Sequence, residues 1–250
     1  MKIISWNLNG LMAAQKSGAL DFIIESPPDI ICFQEIRTRQ EPVILPGYFH
    51  YWHHGQVDGY SGTAVITRIK PRNVTCGFLN DFEDEEGRIM TLDMGGWYMV
   101  NAYFPNPHKN LQRKAFRREF DQAMLEHAGA LLEEKPVIIC GDFNVAREPI
   151  DIFAENTKQN WAQLGYTSDE RDDLETLIGI GLADAFRQLY PGRQSFTWWS
   201  NRLYKRREDR GWRLDLFLVA SSLMPKVRDV QHLQERPGSD HCPILLEVSL

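Results

Sequence analysis

The chain has 250 residues, 43% of them hydrophobic and 25% charged, with a formal net charge of −6. A chain of that length can bury about 70–75% of the surface its unfolded form exposes, and its composition excludes disordered, coiled-coil and collagen-like classes. The acidic surplus argues against coating nucleic acid by bulk charge, leaving a local basic face as the open route. No apolar run approaches the ~18 residues of a membrane span, so no membrane partner is expected.

Strand signals are short apolar runs rich in β-branched and aromatic residues, and helices show as apolar positions three and four apart. In chain order they predict a strand over 3–8, a helix over 14–25, and strands over 29–34, 48–52, 63–67, 88–92 and 97–104. A helix over 110–133, a strand over 137–140 and a helix over 169–179 with Ser168 as N-cap follow. Strands over 214–219, 227–232 and 244–248 close the chain. About ten strands with few helices and no regular alternation favour an α/β fold of two packed sheets with helices on the outer faces. No repeat, linker or composition break appears, so residues 1–250 are expected to form one domain. Cys32, Cys76, Cys140 and Cys242 form no C-x-x-C, and the N-terminus turns polar after Ile3 and Ile4. Reduced thiols and a cytoplasmic location follow as expectations.

Two stretches are basic. Residues 109–118 hold Lys109, Arg113, Lys114, Arg117 and Arg118 and no acid, and 202–213 hold Arg202, Lys205, Arg206, Arg207, Arg210 and Arg213 against Glu208 and Asp209. One such run is ordinarily a solvated face. Two of them, each near the polar motifs described next, are candidates for phosphate contacts.

Several predicted strands run into polar residues: Asn7 and Asn9, Gln34-Glu35, Tyr103 with Asn106, and Asp142 with Asn144. Asp215 opens another strand, and Asp240-His241 precedes the last. Asn, Asp and Glu are poor strand formers, so their repeated placement at strand ends suggests one functional rim. Glu35, Asp240, Asn9 and Asn7 offer hard oxygen donors suited to Mg²⁺ or Mn²⁺, and the histidines lack zinc-like spacing. Asp142 with Asn144 could hold and deprotonate a water, and His241 could donate to a charged oxygen. Metal-assisted hydrolysis of a phosphate ester fits this inventory.

The blocks ISWNLNG (4–10), PDIICFQE (28–35), GYSGTAV (59–65), EGR (86–88), NAYFPN (101–106), IICGDFN (138–144), TWWS (197–200), GWRLD (211–215) and GSDHCPI (238–244) occur in this order. With them the sequence resembles the exonuclease III family of apurinic/apyrimidinic (AP) endonucleases, in the DNase I-like superfamily. The resemblance implies a four-layer α/β sandwich, two packed mixed β-sheets flanked by helices. It also implies a Mg²⁺-dependent DNA repair nuclease, cutting 5′ to abasic sites in duplex DNA, with 3′→5′ exonuclease and 3′-phosphodiesterase activity, acting as a monomer. By the same resemblance, Glu35 is the principal metal ligand, with Asn7 and Asp240 beside it. Asp142 activates water, Asn144 contacts the phosphate, His241 donates to the scissile phosphate and Asp215 holds its ring. Tyr103 and Asn106 lie on the phosphate side, and Trp212, Leu214 and Trp198 line a pocket for a flipped-out abasic sugar. Tyr60, Arg88, Lys109 and Arg202 join the DNA contacts. Asn9 stands where many members have Asp, which removes a negative charge from the metal site, and Lys109 stands near where some insert Arg. A superfamily phosphoesterase acting on an RNA tail or an inositol phosphate, and a non-catalytic DNA-binding module, are the alternative readings.

Overall fold

The computed structural model describes residues 1–106, 111–153, 165–200 and 205–250. Its strands are β1 (Lys2–Asn7), β2 (Ile30–Gln34), β3 (Phe49–His53), β4 (Thr63–Thr67), β5 (Asn73–Cys76) and β6 (Ile89–Asp93). They continue with β7 (Tyr98–Tyr103), β8 (Val137–Asp142), β9 (Leu182–Asp184), β10 (Asp215–Ala220), β11 (Val227–His232) and β12 (Ile244–Val248). The α-helices among the described residues are α1 (Leu11–Lys16), α2 (Asp21–Glu25), α3 (Leu111–Glu134), α4 (Ser168–Gly179) and α5 (Ala185–Leu189). None of them is long and apolar enough to cross a membrane.

Two six-stranded sheets form, in the orders β11-β12-β1-β2-β4-β3 and β5-β6-β7-β8-β10-β9. Each is antiparallel except for one central parallel pair, β1 with β2 and β7 with β8. Alternation along the strands decides what lies where. Ile3, Ile30, Cys32 and Val65 of the first sheet pack against Met90, Met99, Ile138, Cys140 and Phe217 of the second, forming the central core. The opposite parity, Ile4, Trp6, Ile31, Phe33 and Ile66, packs under α1 and α2. On the far side Phe120, Met124, Ala128 and Leu131 of α3 recur at helical spacing and cover Val100, Ile139 and Leu218. The result is the expected four layers.

The differences from the predicted elements have local causes. The stretch 14–25 is broken into α1 and α2 at Gly18, whose φ of +74° does not continue a helix. The N-cap of α4 is Thr167, not Ser168, because a reciprocal capping box joins it to Glu170. β5 and β9, with four and three residues, carry too little pattern to be read alone; both are edge strands that form against β6 and β10. On β8, Gly141 faces Ala102 of β7, and a Cβ there would come 1.7 Å from the Ala102 oxygen, so only glycine lets the parallel pair run on to Asp142.

A buried histidine gives the fold a pH sensitivity. His127 of α3 accepts from the Leu79 N–H at 3.0 Å through Nδ1, which leaves Nε2–H to donate to Thr91 Oγ1 at 2.9 Å. Burial pushes its pKa down to about 4. The unfolded chain takes up this proton near its ordinary 6.5, so the stabilisation is complete above that pH and is lost as pH falls towards 4. The loss should reach about 3 kcal/mol, at roughly 1.4 kcal/mol per pH unit. Urea midpoints between pH 7 and 4 should fall more steeply for the wild type than for H127Q; parallel slopes would refute the assignment.

Candidate active site

The inner-face parity that builds the core also builds the site. Ile3, Ser5 and Asn7 lie on one face of β1; Met99, Asn101 and Tyr103 on β7; Ile138, Cys140 and Asp142 on β8; Val219, Phe217 and Asp215 on β10. Towards one rim this face turns from apolar to polar. Beneath the rim Asn101 bonds across the sandwich: its Nδ2 donates to the Phe33 and Ala64 carbonyls at 3.0 Å each, and its Oδ1 accepts from Gln34 Nε2 at 2.7 Å. Gln34 Nε2 also reaches Ser5 Oγ at 3.0 Å.

Above this layer the chain turns sharply. Asn9, Glu35 and Asn144 adopt φ of 49°, 50° and 51°, a left-handed conformation that is uncommon outside glycine and is unfavourable for Glu in particular. Glu35 thereby leaves the end of β2 with its Oε1 accepting from the Tyr103 hydroxyl at 2.5 Å and from Arg37 Nη2 at 2.8 Å. Among the described residues its Oε2 takes no hydrogen bond. Burial, reinforced by Glu35, raises the Tyr103 pKa well above the ordinary phenol value and keeps it a donor. Arg88, 1% exposed, lies 4.3 Å from the Tyr103 ring centroid, donating to Glu86 Oε2 at 2.6 Å and to the Tyr103 carbonyl at 2.9 Å.

Asp142 is buried and held by three donors. Asn144 N reaches Oδ1 at 2.8 Å, and Asn7 Nδ2 and Asn144 Nδ2 reach Oδ2 at 2.9 and 3.2 Å. The second Asn144 Nδ2 hydrogen goes to the Phe104 carbonyl at 2.9 Å. Asn144 therefore holds Asp142 through both its backbone and its side-chain nitrogen. Burial pushes the Asp142 pKa up to about 7, although the neighbouring His241 pulls the other way. His241 Nδ1 donates to Asp215 Oδ2 at 2.8 Å, and its Nε2 lies 3.7 Å from Asp142 Oδ2. Burial disfavours the imidazolium, but Asp215 and Asp142 outweigh it and push the pKa up to about 10. At neutral pH both ring nitrogens are donors. Thr197 Oγ1 accepts from the Leu214 and Asp215 N–H groups at 3.0 and 3.1 Å, which fixes the entry of β10.

One cleft gathers Asn9, Glu35, Tyr103, Asp142, Asp240 and His241 with the aromatic and apolar wall of Trp198, Trp212 and Leu214. Asn9 Nδ2 donates to Asp240 Oδ1 at 2.9 Å, and Asn9 N to Asn7 Oδ1 at 3.0 Å.

A family model described as the Endonuclease/Exonuclease/phosphatase family matches residues 4–241. The chain belongs to that family. An exodeoxyribonuclease of Bacillus subtilis (strain 168) is 37% identical over 254 residues, covering 100% of both chains. The DNA repair nuclease APEX1 of Danio rerio is 37% identical over 254 residues, covering 98% of this chain and 81% of that one. Among solved structures, an AP endonuclease from Leishmania major has a TM-score of 0.89 at 30% identity, covering all of this chain and 87% of that one.

Of the residues expected from the sequence, this family member brings Asn144, Asn106, Tyr60 and Arg88 to the same cleft as well. Asn7 and Asp215, each 1% exposed, stand behind its wall, bonded to Asp142 and His241 respectively. Arg88, though it lines the cleft, is 1% exposed and holds Tyr103 through the ring and the carbonyl. Lys109 and Arg202 lie outside the described residues. Among the described residues, Asp142, Asp215 and His241 place ligand-capable atoms within 4.8 Å of one another, but His241 Nδ1 is already committed to Asp215. Among the described residues, several cations of the basic runs are used inside the protein. Arg113 pairs with Glu86, Arg117 with Asp121 and Arg213 with Asp151 and Asp184, while Arg206 donates to the Ser239, Gln234 and Arg236 carbonyls. Lys114 and Arg118 on α3, and Lys205 and Arg207, form no ion pair among the described residues. Sequence reasoning missed Arg37, which lines the cleft and follows Glu35 by two positions. It also missed Asn101 and Thr197, which sat in plain view inside the NAYFPN and TWWS blocks.

Proposed function

We propose that this chain is a metal-dependent DNA repair nuclease that hydrolyses the phosphodiester 5′ to abasic sites in duplex DNA, with 3′→5′ exonuclease and 3′-phosphodiesterase activity on the ends it meets. The supporting observation is that a carboxylate cluster, a histidine held by Asp215 and an apolar wall share one cleft. The full-length match to an exodeoxyribonuclease and the match to a DNA repair nuclease agree with this reading.

The donor set fits a hard divalent cation. Glu35, Asp240 and Asn9 offer carboxylate and amide oxygens at the cleft, with Asn7 buried behind them and its Oδ1 taking Asn9 N, and the Glu35 Oε2 is free among the described residues. Cysteine takes no part in lining the cleft. Mg²⁺, or Mn²⁺ in its place, would supply positive charge to the phosphate oxygens when bound. The chain's own groups do the rest. Asp142, locked by three donors, accepts the proton of the attacking water. His241 donates from Nε2 to the phosphate where charge develops, and Asp215 keeps the ring in that orientation. Tyr103 and Arg37 fix Glu35.

An abasic sugar has no base to unstack, so extruding it costs less than flipping an intact nucleotide, which takes a few kcal/mol. The wall of Trp198, Trp212 and Leu214 accepts that sugar and rejects an intact base by size. With most arginines engaged internally, phosphate grip falls to few side chains, and binding should weaken with salt accordingly. The reading includes a monomer in the cytoplasm, in keeping with four unpaired cysteines.

The test compares an abasic duplex, an intact duplex, a recessed-3′ duplex, an RNA tail and a soluble phosphoinositide, each with Mg²⁺, Mn²⁺ or EDTA. Incision 5′ of the abasic site, lost in EDTA, is the expected result. Preferred cleavage of the phosphoinositide or the RNA, or undiminished incision in EDTA, would overturn the proposal.

A further inference from the structure

Trp198 belongs to the apolar wall, yet its polar edge faces the cation side of the cleft. Its Nε1–H donates to Asp240 Oδ2 at 3.2 Å. The other carboxylate oxygen, Oδ1, takes Asn9 Nδ2 at 2.9 Å and the Ser239 hydroxyl at 3.3 Å. Asp240 is thus held from two directions, by Asn9 in the turn after β1 and by the indole. The indole itself has little freedom. Trp198 exchanges backbone hydrogen bonds with Trp212 at 2.9 Å in both directions, and Trp199 N reaches the Asp240 carbonyl at 3.0 Å. The ring stands edge-on to Trp212, centroids 6.2 Å apart, and tilted against His241 at 6.5 Å. An indole N–H is a donor only, and here its acceptor is the carboxylate that neighbours the cation donors.

The geometry points to Trp198 as a positioning residue for Asp240: by fixing the plane of that carboxylate, it sets the affinity of the cleft for the divalent cation. This rests on the reading of Asp240 as one of the cation donors. Without the indole bond, Asp240 keeps side-chain hydrogen-bond partners on Oδ1 alone among the described residues and can turn about its Cβ–Cγ bond. Groups that orient a metal ligand without touching the metal commonly change its affinity by about 10–100-fold. A residue that supplied only bulk to the sugar pocket would leave cation affinity in the absence of DNA untouched.

The measurement is Mn²⁺ binding to DNA-free protein, followed by electron paramagnetic resonance, which needs no turnover. Two variants are compared with the wild type: Trp198→Phe, and replacement of the Trp198 indole by benzothiophene, which keeps the ring's shape and deletes the N–H alone. Both should bind Mn²⁺ about tenfold more weakly, and the isostere decides the matter if W198F fails to fold. Wild-type affinity in the isostere would overturn the proposal. Wild-type incision of abasic duplex in Mg²⁺, run in parallel, tests the underlying reading separately: its failure removes the nuclease assignment, whereas an unmoved Mn²⁺ affinity removes only the role of Trp198.

Discussion

Asp142→Asn should lower turnover on abasic duplex by about 10²–10⁴-fold, the range for loss of a positioned acid–base group, while leaving affinity for that duplex close to the wild type. The amide keeps the volume of the carboxylate and can still accept from Asn144 N, which bonds Oδ1 at 2.8 Å. It cannot take a proton from water. The change also removes a negative charge 3.7 Å from His241 Nε2, leaving Asp215 as the imidazolium's bonded acid. Single-turnover kinetics and a binding titration in EDTA check the two halves of this expectation. Near-wild-type turnover in a correctly folded D142N protein would mean that the attacking water is activated elsewhere.

Arg213→Leu should destabilise the fold by about 3–5 kcal/mol, the usual result of removing one partner from a buried ionic network. Arg213 is fully buried and forked between two acids: Nε and Nη2 reach Asp151 at 2.7 and 2.9 Å, and Nη1 and Nη2 reach Asp184 at 3.1 and 2.7 Å. Arg187 also pairs with Asp151. Leucine would leave two carboxylates in a dry interior, with Arg187 against Asp151 and Arg147 3.8 Å from Asp184 as the remaining cations. The loss should extend to activity, since Arg213 stands between Trp212 and Leu214 of the pocket wall and two residues before Asp215. Urea unfolding measures the effect. Adding Asp151→Asn and Asp184→Asn should recover part of the stability, because the cost lies in the stranded charges and not in the missing side chain; no recovery would count against that origin.

The parts of this site that could be read from the sequence were those whose residue type contradicts its setting. Glu35 at the end of PDIICFQE, Asp142 after IIC and Asp240-His241 before a strand are polar groups where apolar alternation should run on, and all reach the cleft. Residues whose role depends on a partner far along the chain could not be read this way. Asn101 looks like one more strand residue until the other sheet brings Phe33 and Ala64 against it. The basic runs show the same limit: a linear count shows six cations in 202–213 but not that Arg206 and Arg213 are spent on the protein's own carbonyls and carboxylates. Edge strands β5 and β9 exist because a longer neighbour offers them hydrogen bonds, a property of the sheet and not of their few residues.

Glu35 is carried by one sheet and Tyr103 by the other, and they meet at 2.5 Å. The two sheets could in principle slide over each other along their greasy interface with little penalty, since contact between aliphatic surfaces has no preferred offset. Asn101, bonded to three groups of the opposite sheet, acts as a dowel against that slip. Directional bonds are sensitive to displacements of a few tenths of an ångström where oily contacts are not. The alignment of the two halves of the reaction centre is therefore held by an amide a short way below it, together with the Asn7–Asp142 and Tyr103–Glu35 bonds at the rim. Evolution can vary the deeper filling of the sandwich without detuning the chemistry, provided that dowel stays in its hole.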